Sequence, residues 1–270
     1  MKKSSFFAVA LVALLASCGG GNNQEATETQ EKSFEQEQLE AFVKMQVDSI
    51  ASEWAKYQDV PFLASIHQGK FELSDEEKLV KPEYLLETSQ LSDLVSLSQK
   101  YRALAMLDID CTIAKAYDMP VEDFESAMAK LVVDIDDSAI EDFSENMNEG
   151  MAREEAITTL YDTEDENGRI NFFWEAMTAA FVEQVYILAN HPDNQFTNCF
   201  DDDAAAEFCY RFILIQQSLE QLAEYDPNIA ELAQVIKPLD KLNAVSLEQF
   251  KTQLADMRND IAEIREAMLK

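Results

Sequence analysis

Histidine, glycine and basic residues are scarce in this chain, and each shortage closes off a class of function. Only His67 and His191 are present, far apart, with no H-x-x-x-H or E-x-x-H pattern around either. Zinc sites, a di-iron centre of the ferritin type and a histidine-based triad therefore lack their parts. No metal and no cofactor is expected. Glycine occurs six times, and three of the six form the run 19–21. Sheets with tight hairpins, and parallel sheets with phosphate loops, need more glycine at positive φ than the remainder supplies. Lys and Arg number 21 against 52 Asp and Glu, a net charge of −31. Nucleic acid is excluded as a partner, because phosphate binding needs clustered cations. Anionic lipid headgroups are repelled as well. A surplus this large is first of all a solvated surface, and it would attract cations or basic partners. Nowhere does an apolar run reach the ~20 residues needed to span a bilayer.

What is present begins with "MKKSSFFAVALVALLASC", residues 1 to 18. Lys2 and Lys3 form a basic start, and Phe6 to Leu15 form an apolar stretch too short to cross a membrane, the shape of a secretory signal. The ending Leu15-Ala16-Ser17-Cys18 resembles the lipobox of bacterial lipoproteins, which implies cleavage before Cys18 and acylation of that cysteine. Several acyl chains at ~0.8 kcal/mol per buried methylene give stable anchoring where one would be marginal. Gly19 in place of Asp resembles lipoproteins sent to the outer membrane. Residues 19–32, "GGGNNQEATETQEK", hold no large apolar side chain and would tether a domain at ~20 Å as a flexible coil. The expected organisation is a signal peptide over 1–17, a lipidated Cys18 and polar linker over 18–32, and one domain over 33–270. The expected location is the cell envelope, lipid-anchored at the outer membrane on its periplasmic or surface face. Without the two signal lysines, 19 basic side chains remain against 52 acidic ones.

Beyond residue 33 the apolar residues recur at helical spacing, with capping signals at the breaks. Ser33-Phe34-Glu35-Gln36 and Ser74-Asp75-Glu76-Glu77 read as capping boxes. Helices are expected over 34–57, 89–118, 120–133 (with Pro120 in its first turn), 138–161 (capped by Ser138), 170–190, 203–225 and from Ser246 to the C-terminus, with a short one beginning at Pro227. "DTEDENGR", residues 162–169, reads as a loop. The expected fold is all-α, one bundle of about eight antiparallel helices.

The blocks "LSDEEKLVKPEYLL", "SQKYRALAMLDIDCTIAKAY" and "FFWEAMTAAFVEQVYILAN" resemble those of a family of uncharacterised all-helical lipoproteins common in Bacteroidetes. The likeness covers most of the chain after the linker, and its blocks are packing motifs. It implies an envelope lipoprotein and carries no activity to any residue.

Within the second block, Asp108-Ile109-Asp110-Cys111-Thr112 matches the D-x-D-x-T signature of phosphatases of the haloacid dehalogenase type. That chemistry needs a strand before the first Asp and a glycine-bearing turn after it, whereas 89–107 reads as helix. Two residues apart on a helix, the aspartates diverge by ~200° and cannot hold one phosphate. On the helical wheel Asp108 shares a face with Leu94, Leu97, Tyr101 and Leu104, and Asp110 shares one with Ser92 and Gln99. A buried polar site built from Asp108, Lys115 and Tyr117 is therefore expected, with Asp110 in solvent. "TEDENGRINFFWE" resembles a calcium loop but lacks Asp at its first position and Glu at its twelfth. Cys111, Cys199 and Cys209 remain besides Cys18; Cys111 reads as a small buried residue, and a 199–209 disulfide is left open.

No catalytic residue follows from these patterns. The expected function is a non-enzymatic binding or structural module for a protein or small-molecule ligand. The alternative is a hydrolase using paired carboxylates in an inter-helix cleft.

Overall fold

The computed structural model describes residues 34–57, 60–148, 151–190 and 195–270. The signal segment, Cys18, the linker, the Ser33 cap and His191 lie outside the described residues. The fold is all-α, with no strand among the described residues. In chain order the helices are α1 (Phe34–Trp54), α2 (Pro61–His67), α3 (Asp75–Leu79), α4 (Leu97–Ala116), α5 (Glu122–Ile135), α6 (Ser138–Asn148) and α7 (Arg153–Glu166). They continue with α8 (Ile170–Asn190), α9 (Gln195–Asn198), α10 (Asp202–Leu222), α11 (Pro227–Val235), α12 (Leu247–Asp256) and α13 (Arg258–Ala267).

The described residues form thirteen α-helices where about eight were expected: the stretches 138–161 and 246–270 each divide in two, and the short α2, α3 and α9 lie outside the expected ranges. The stretch 89–118 is a 3-10 turn over Thr88–Asp93 followed by α4. Ser96 and Gln99 form the capping box that starts α4: Ser96 Oγ accepts from Gln99 N at 3.1 Å, and Gln99 Oε1 accepts from Ser96 N at 3.0 Å. Two orphan amides of the first turn are thereby satisfied. The stretch 138–161 divides into α6 and α7, which pack on each other. The cap of α6 is Asp137 and not Ser138, since Asp137 Oδ1 accepts from Ala139 N at 3.0 Å. The Ser74–Glu77 capping box forms as expected.

The loop expected over 162–169 is mostly helix. α7 runs through Glu166, and only then does Gly168 turn the chain at φ +69, its N–H donating to Asp165 O at 3.0 Å. A left-handed glycine closing a helix satisfies its last carbonyls. Thr163 and Asp165 thus sit on a helix, and no calcium loop exists there. Asp201 caps α10 by accepting from Ala204 N at 2.8 Å, as the acidic run before it suggests. Cys111, Cys199 and Cys209 are free thiols, with Cys111 and Cys209 buried.

α8 is the axis of the bundle. Its sequence is apolar nearly all round, so it must be covered on every side, and α4, α7, α10, α12 and α13 pack against it. α4 makes the most extensive contact. At one end Trp54, Tyr161, Phe173 and Trp174 meet edge to face, joining α1, α7 and α8 with ring centroids 5.2 to 6.5 Å apart. Such pairs contribute ~0.5–1.5 kcal/mol beyond the burial of their area. One contiguous apolar core draws residues from every helix but α3.

Candidate functional site

The packing of α8 forces polar groups into the interior, because Glu175 and Glu183 are its charged residues and both are fully buried. Each has an arginine. Arg102 Nε lies 2.9 Å from Glu175 Oε2, and Ser98 Oγ donates to Glu175 Oε1 at 2.9 Å. Burial pushes the Glu175 carboxyl up, against the pull of Arg102 and Ser98. Glu183 is held more fully: Arg265 donates from Nε to Oε2 at 2.7 Å and from Nη2 to Oε1 at 2.8 Å. The same guanidinium lies over the Tyr186 ring, 4.2 Å from its centroid.

Asp110 completes this second group. It is fully buried, its Oδ2 accepts from Leu86 N at 2.7 Å, and Arg265 Nη2 lies 3.6 Å away. Its Oδ1 accepts from no donor among the described residues. Burial and the facing Glu183 carboxylate push the Asp110 carboxyl well above the carboxylate range, outweighing Arg265 and the Leu86 N–H. One arginine thus faces two buried carboxyls, bound through both oxygens to Glu183 and 3.6 Å from Asp110. The group ties α4, α8 and α13 together as a structural keystone.

The expected site of Asp108, Lys115 and Tyr117 does not form. Asp108 is exposed, and Lys115 is exposed and pairs with Glu125 of α5 at 3.2 Å. Tyr117 is buried, edge-on to Phe196 with centroids 6.3 Å apart, and burial pushes its hydroxyl up. The aspartates have exchanged their expected places, because the buried stripe of α4 is Ala103, Met106, Leu107, Asp110, Ile113, Ala114 and Tyr117. That spacing of three and four residues was present in the sequence. α4 carries a second apolar stripe as well, Leu97, Tyr101 and Leu104, and Asp108 lies on that one.

The stripe through Tyr101, Leu104 and Asp108 instead walls a cavity of about 510 Å3 between α2, α4, α5, α6, α7 and α8. Its wall is mainly apolar, from residues such as Leu104, Met128, Phe143, Leu160 and Met177. Pockets for small molecules typically enclose ~300–1,000 Å3 with a few placed polar groups. Here those groups are Glu164, Tyr101, Gln184 and Arg211 from buried positions, with His67, Asp108 and Glu125 exposed.

Glu164 belongs to a network that the sequence did not announce. Asp137 accepts from Tyr101 Oη, from Arg169 Nη1 at 2.7 Å and from Ala139 N. These donors hold the Asp137 carboxyl below the usual range although burial opposes them. Glu164 is fully buried beside it, with Tyr101 Oη at 3.5 Å from Oε1. Burial, and then the Asp137 carboxylate, push Glu164 up to about 8, with Arg169 and Tyr101 acting the other way. Glu164 is thus a carboxyl that exchanges its proton near neutral pH at the wall of an apolar cavity. No group of three or more His, Cys, Asp or Glu arranged to hold a metal occurs among the described residues, and no helix among them is long and apolar enough to cross a membrane. No family model matches the chain, and neither a curated protein nor a solved structure matches it.

Proposed function

We propose that the chain is a lipid-anchored envelope lipoprotein whose acidic helical domain is a non-enzymatic binding module, holding a small and largely apolar molecule between α4, α5, α6, α7 and α8. The anchor rests on the lipobox-like ending at Cys18 and the polar tract after it, and the outer membrane on Gly19. These features also support membership of the helical lipoprotein family that the packing blocks resemble. The observation that carries the binding reading is the apolar cavity of about 510 Å3, a size that suits a single small molecule.

The hydrolase reading has its best pair in Glu164 and Asp137. Asp137 is committed to three donors, and the other carboxylates of the wall, Asp108 and Glu125, are solvent-exposed. This favours binding over catalysis by a carboxylate pair. Titration with Nile red, a neutral apolar dye, tests the reading. Its fluorescence should rise and saturate with the wild-type protein. It should not rise with Met177→Trp, which fills the cavity, provided that variant still unfolds cooperatively. No rise with the wild type, or an equal rise with the variant, removes the proposal.

A further inference from the structure

The chemistry of the cavity wall points to the class of ligand, an inference that rests on the binding reading above. Glu164 lines the cavity, is fully buried, and has an oxygen, Oε2, that accepts from no donor among the described residues. Its other oxygen lies 3.5 Å from the Tyr101 hydroxyl, which is already given to Asp137, and the carboxyl as a whole faces the Asp137 carboxyl. A buried acceptor left without a donor costs ~1–3 kcal/mol, which a ligand that donates to it would recover. The charged groups around the cavity indicate the sign. Asp108 and Glu125 are carboxylates of the wall that reach solvent, and His67 is exposed beside them. Arg211, the buried cation of the wall, donates to Gln184 at 3.2 Å and lies over the rings of Trp54 and Phe208. Facing Glu164 directly are Tyr101 from α4, Asp137 at the start of α6 and Arg169 from the turn before α8.

We infer that the cavity binds an apolar amine, its hydrocarbon body among the aliphatic walls and its ammonium donating to Glu164 Oε2. Neutral Glu164 gives its proton toward Asp137; on binding, that proton leaves to solvent and the ionised carboxylate meets the ammonium. Charge is balanced, because one proton is released for one cation taken up. Binding therefore strengthens as pH rises through the range in which Glu164 ionises, in the order expected for an ion pair in a site of low dielectric.

Displacement of Nile red by decylammonium, decanol and decanoate, each below its micellar concentration, separates the possibilities. With the wild type at about pH 9, decylammonium should bind about tenfold or more tightly than decanol, a difference of ~1.4 kcal/mol. The preference should narrow at about pH 6. Glu164→Gln keeps the size of the neutral side chain and should erase the preference at both pH values while leaving decanol binding intact. Asp108→Asn should retain the preference, which distinguishes Glu164 from the general field of the exposed acids. Decanoate binding as tightly as decylammonium, or a preference that survives Glu164→Gln, overturns the assignment. If decanol displaces the dye but the amine shows no advantage, the ligand class is wrong and the binding reading stands. If none of the three probes displaces the dye, both fail.

Discussion

Arg265 and Glu183 meet through both carboxylate oxygens, at 2.7 and 2.8 Å, although one lies on the last helix and the other in the middle of the bundle axis. Removing one member of a buried pair leaves the other charged and desolvated, at a cost of ~3–5 kcal/mol. Arg265→Met should lower the urea midpoint by an amount in that range, with an unchanged slope. Arg265→Lys should recover only part, since a lysine cannot engage both oxygens in the plane of a carboxylate. Glu183→Gln combined with Arg265→Met should be less damaging than Arg265→Met alone, because no charge is then stranded. An Arg265→Met protein as stable as wild type would remove the keystone role.

Glu164 should impose a visible pH dependence on stability. Its folded carboxyl is raised to about 8 from an ordinary 4.5, so the folded state binds the proton more tightly than the unfolded chain. The stability it contributes is complete below about pH 4.5 and is lost as pH rises to about 8, at up to ~1.4 kcal/mol per pH unit. Asp110 and Glu175 tilt in the same direction, so the measurement is the difference between wild type and Glu164→Gln. Asp137 has the opposite sign: its lowered carboxyl stabilises above its ordinary 3.8 and loses that contribution only in more acid solution. Unfolding free energies at several pH values should therefore show the variant gaining on the wild type between pH 4.5 and 8. Parallel curves would contradict the shared environment of Glu164 and Asp137.

The two aspartates of the D-x-D-x-T stretch should behave unlike one another. Asp108 is exposed, so Asp108→Asn should stay within about ±0.5 kcal/mol of wild type. Asp110→Asn can still accept from the Leu86 N–H while its amide donates toward Glu183, and should cost little. Asp110→Leu strands that buried N–H without an acceptor, a loss of ~1–3 kcal/mol. Thermal melts of the three variants decide the matter, and equal effects at 108 and 110 would refute the assignment of faces.

The helical class was legible because helix signals are local: serine, aspartate and glutamate at the caps, apolar residues at three and four. The Ser74 box, the acidic cap of α10 and the bounds of α8 follow from neighbours along the chain. The candidate site was not legible, because its parts come from distant segments. Asp137 and Arg169 lie on opposite sides of the α6–α7 pair, and no spacing rule brings them together. Two signals were available and informative. Glu175 and Glu183 stand in an otherwise uncharged helix, which requires cationic partners somewhere. Asp110 sits in the stripe from Ala103 to Tyr117, where a charge needs a reason. Asp108 does share a face of α4 with Leu97, Tyr101 and Leu104, but that face lines the cavity and reaches solvent at Asp108, and nothing local in the sequence says which of the two apolar stripes the bundle buries completely.

Lipid anchoring is testable without any knowledge of the ligand. If Cys18 carries diacylglycerol and an amino-terminal acyl chain, each buried methylene contributes ~0.8 kcal/mol, so attachment should resist salt and yield only to detergent. Salt resistance matters here, because a chain with 52 acidic residues against 21 basic ones cannot be held to an anionic membrane by charge. Expressed from the full sequence, the wild type should incorporate labelled palmitate and give a mature mass beginning at residue 18. Cys18→Ser should incorporate none and keep its first seventeen residues, while the domain keeps the same helical content and unfolding midpoint. A mature chain beginning at another residue, or palmitate incorporated without Cys18, would replace the lipoprotein reading with ordinary secretion or with acylation elsewhere.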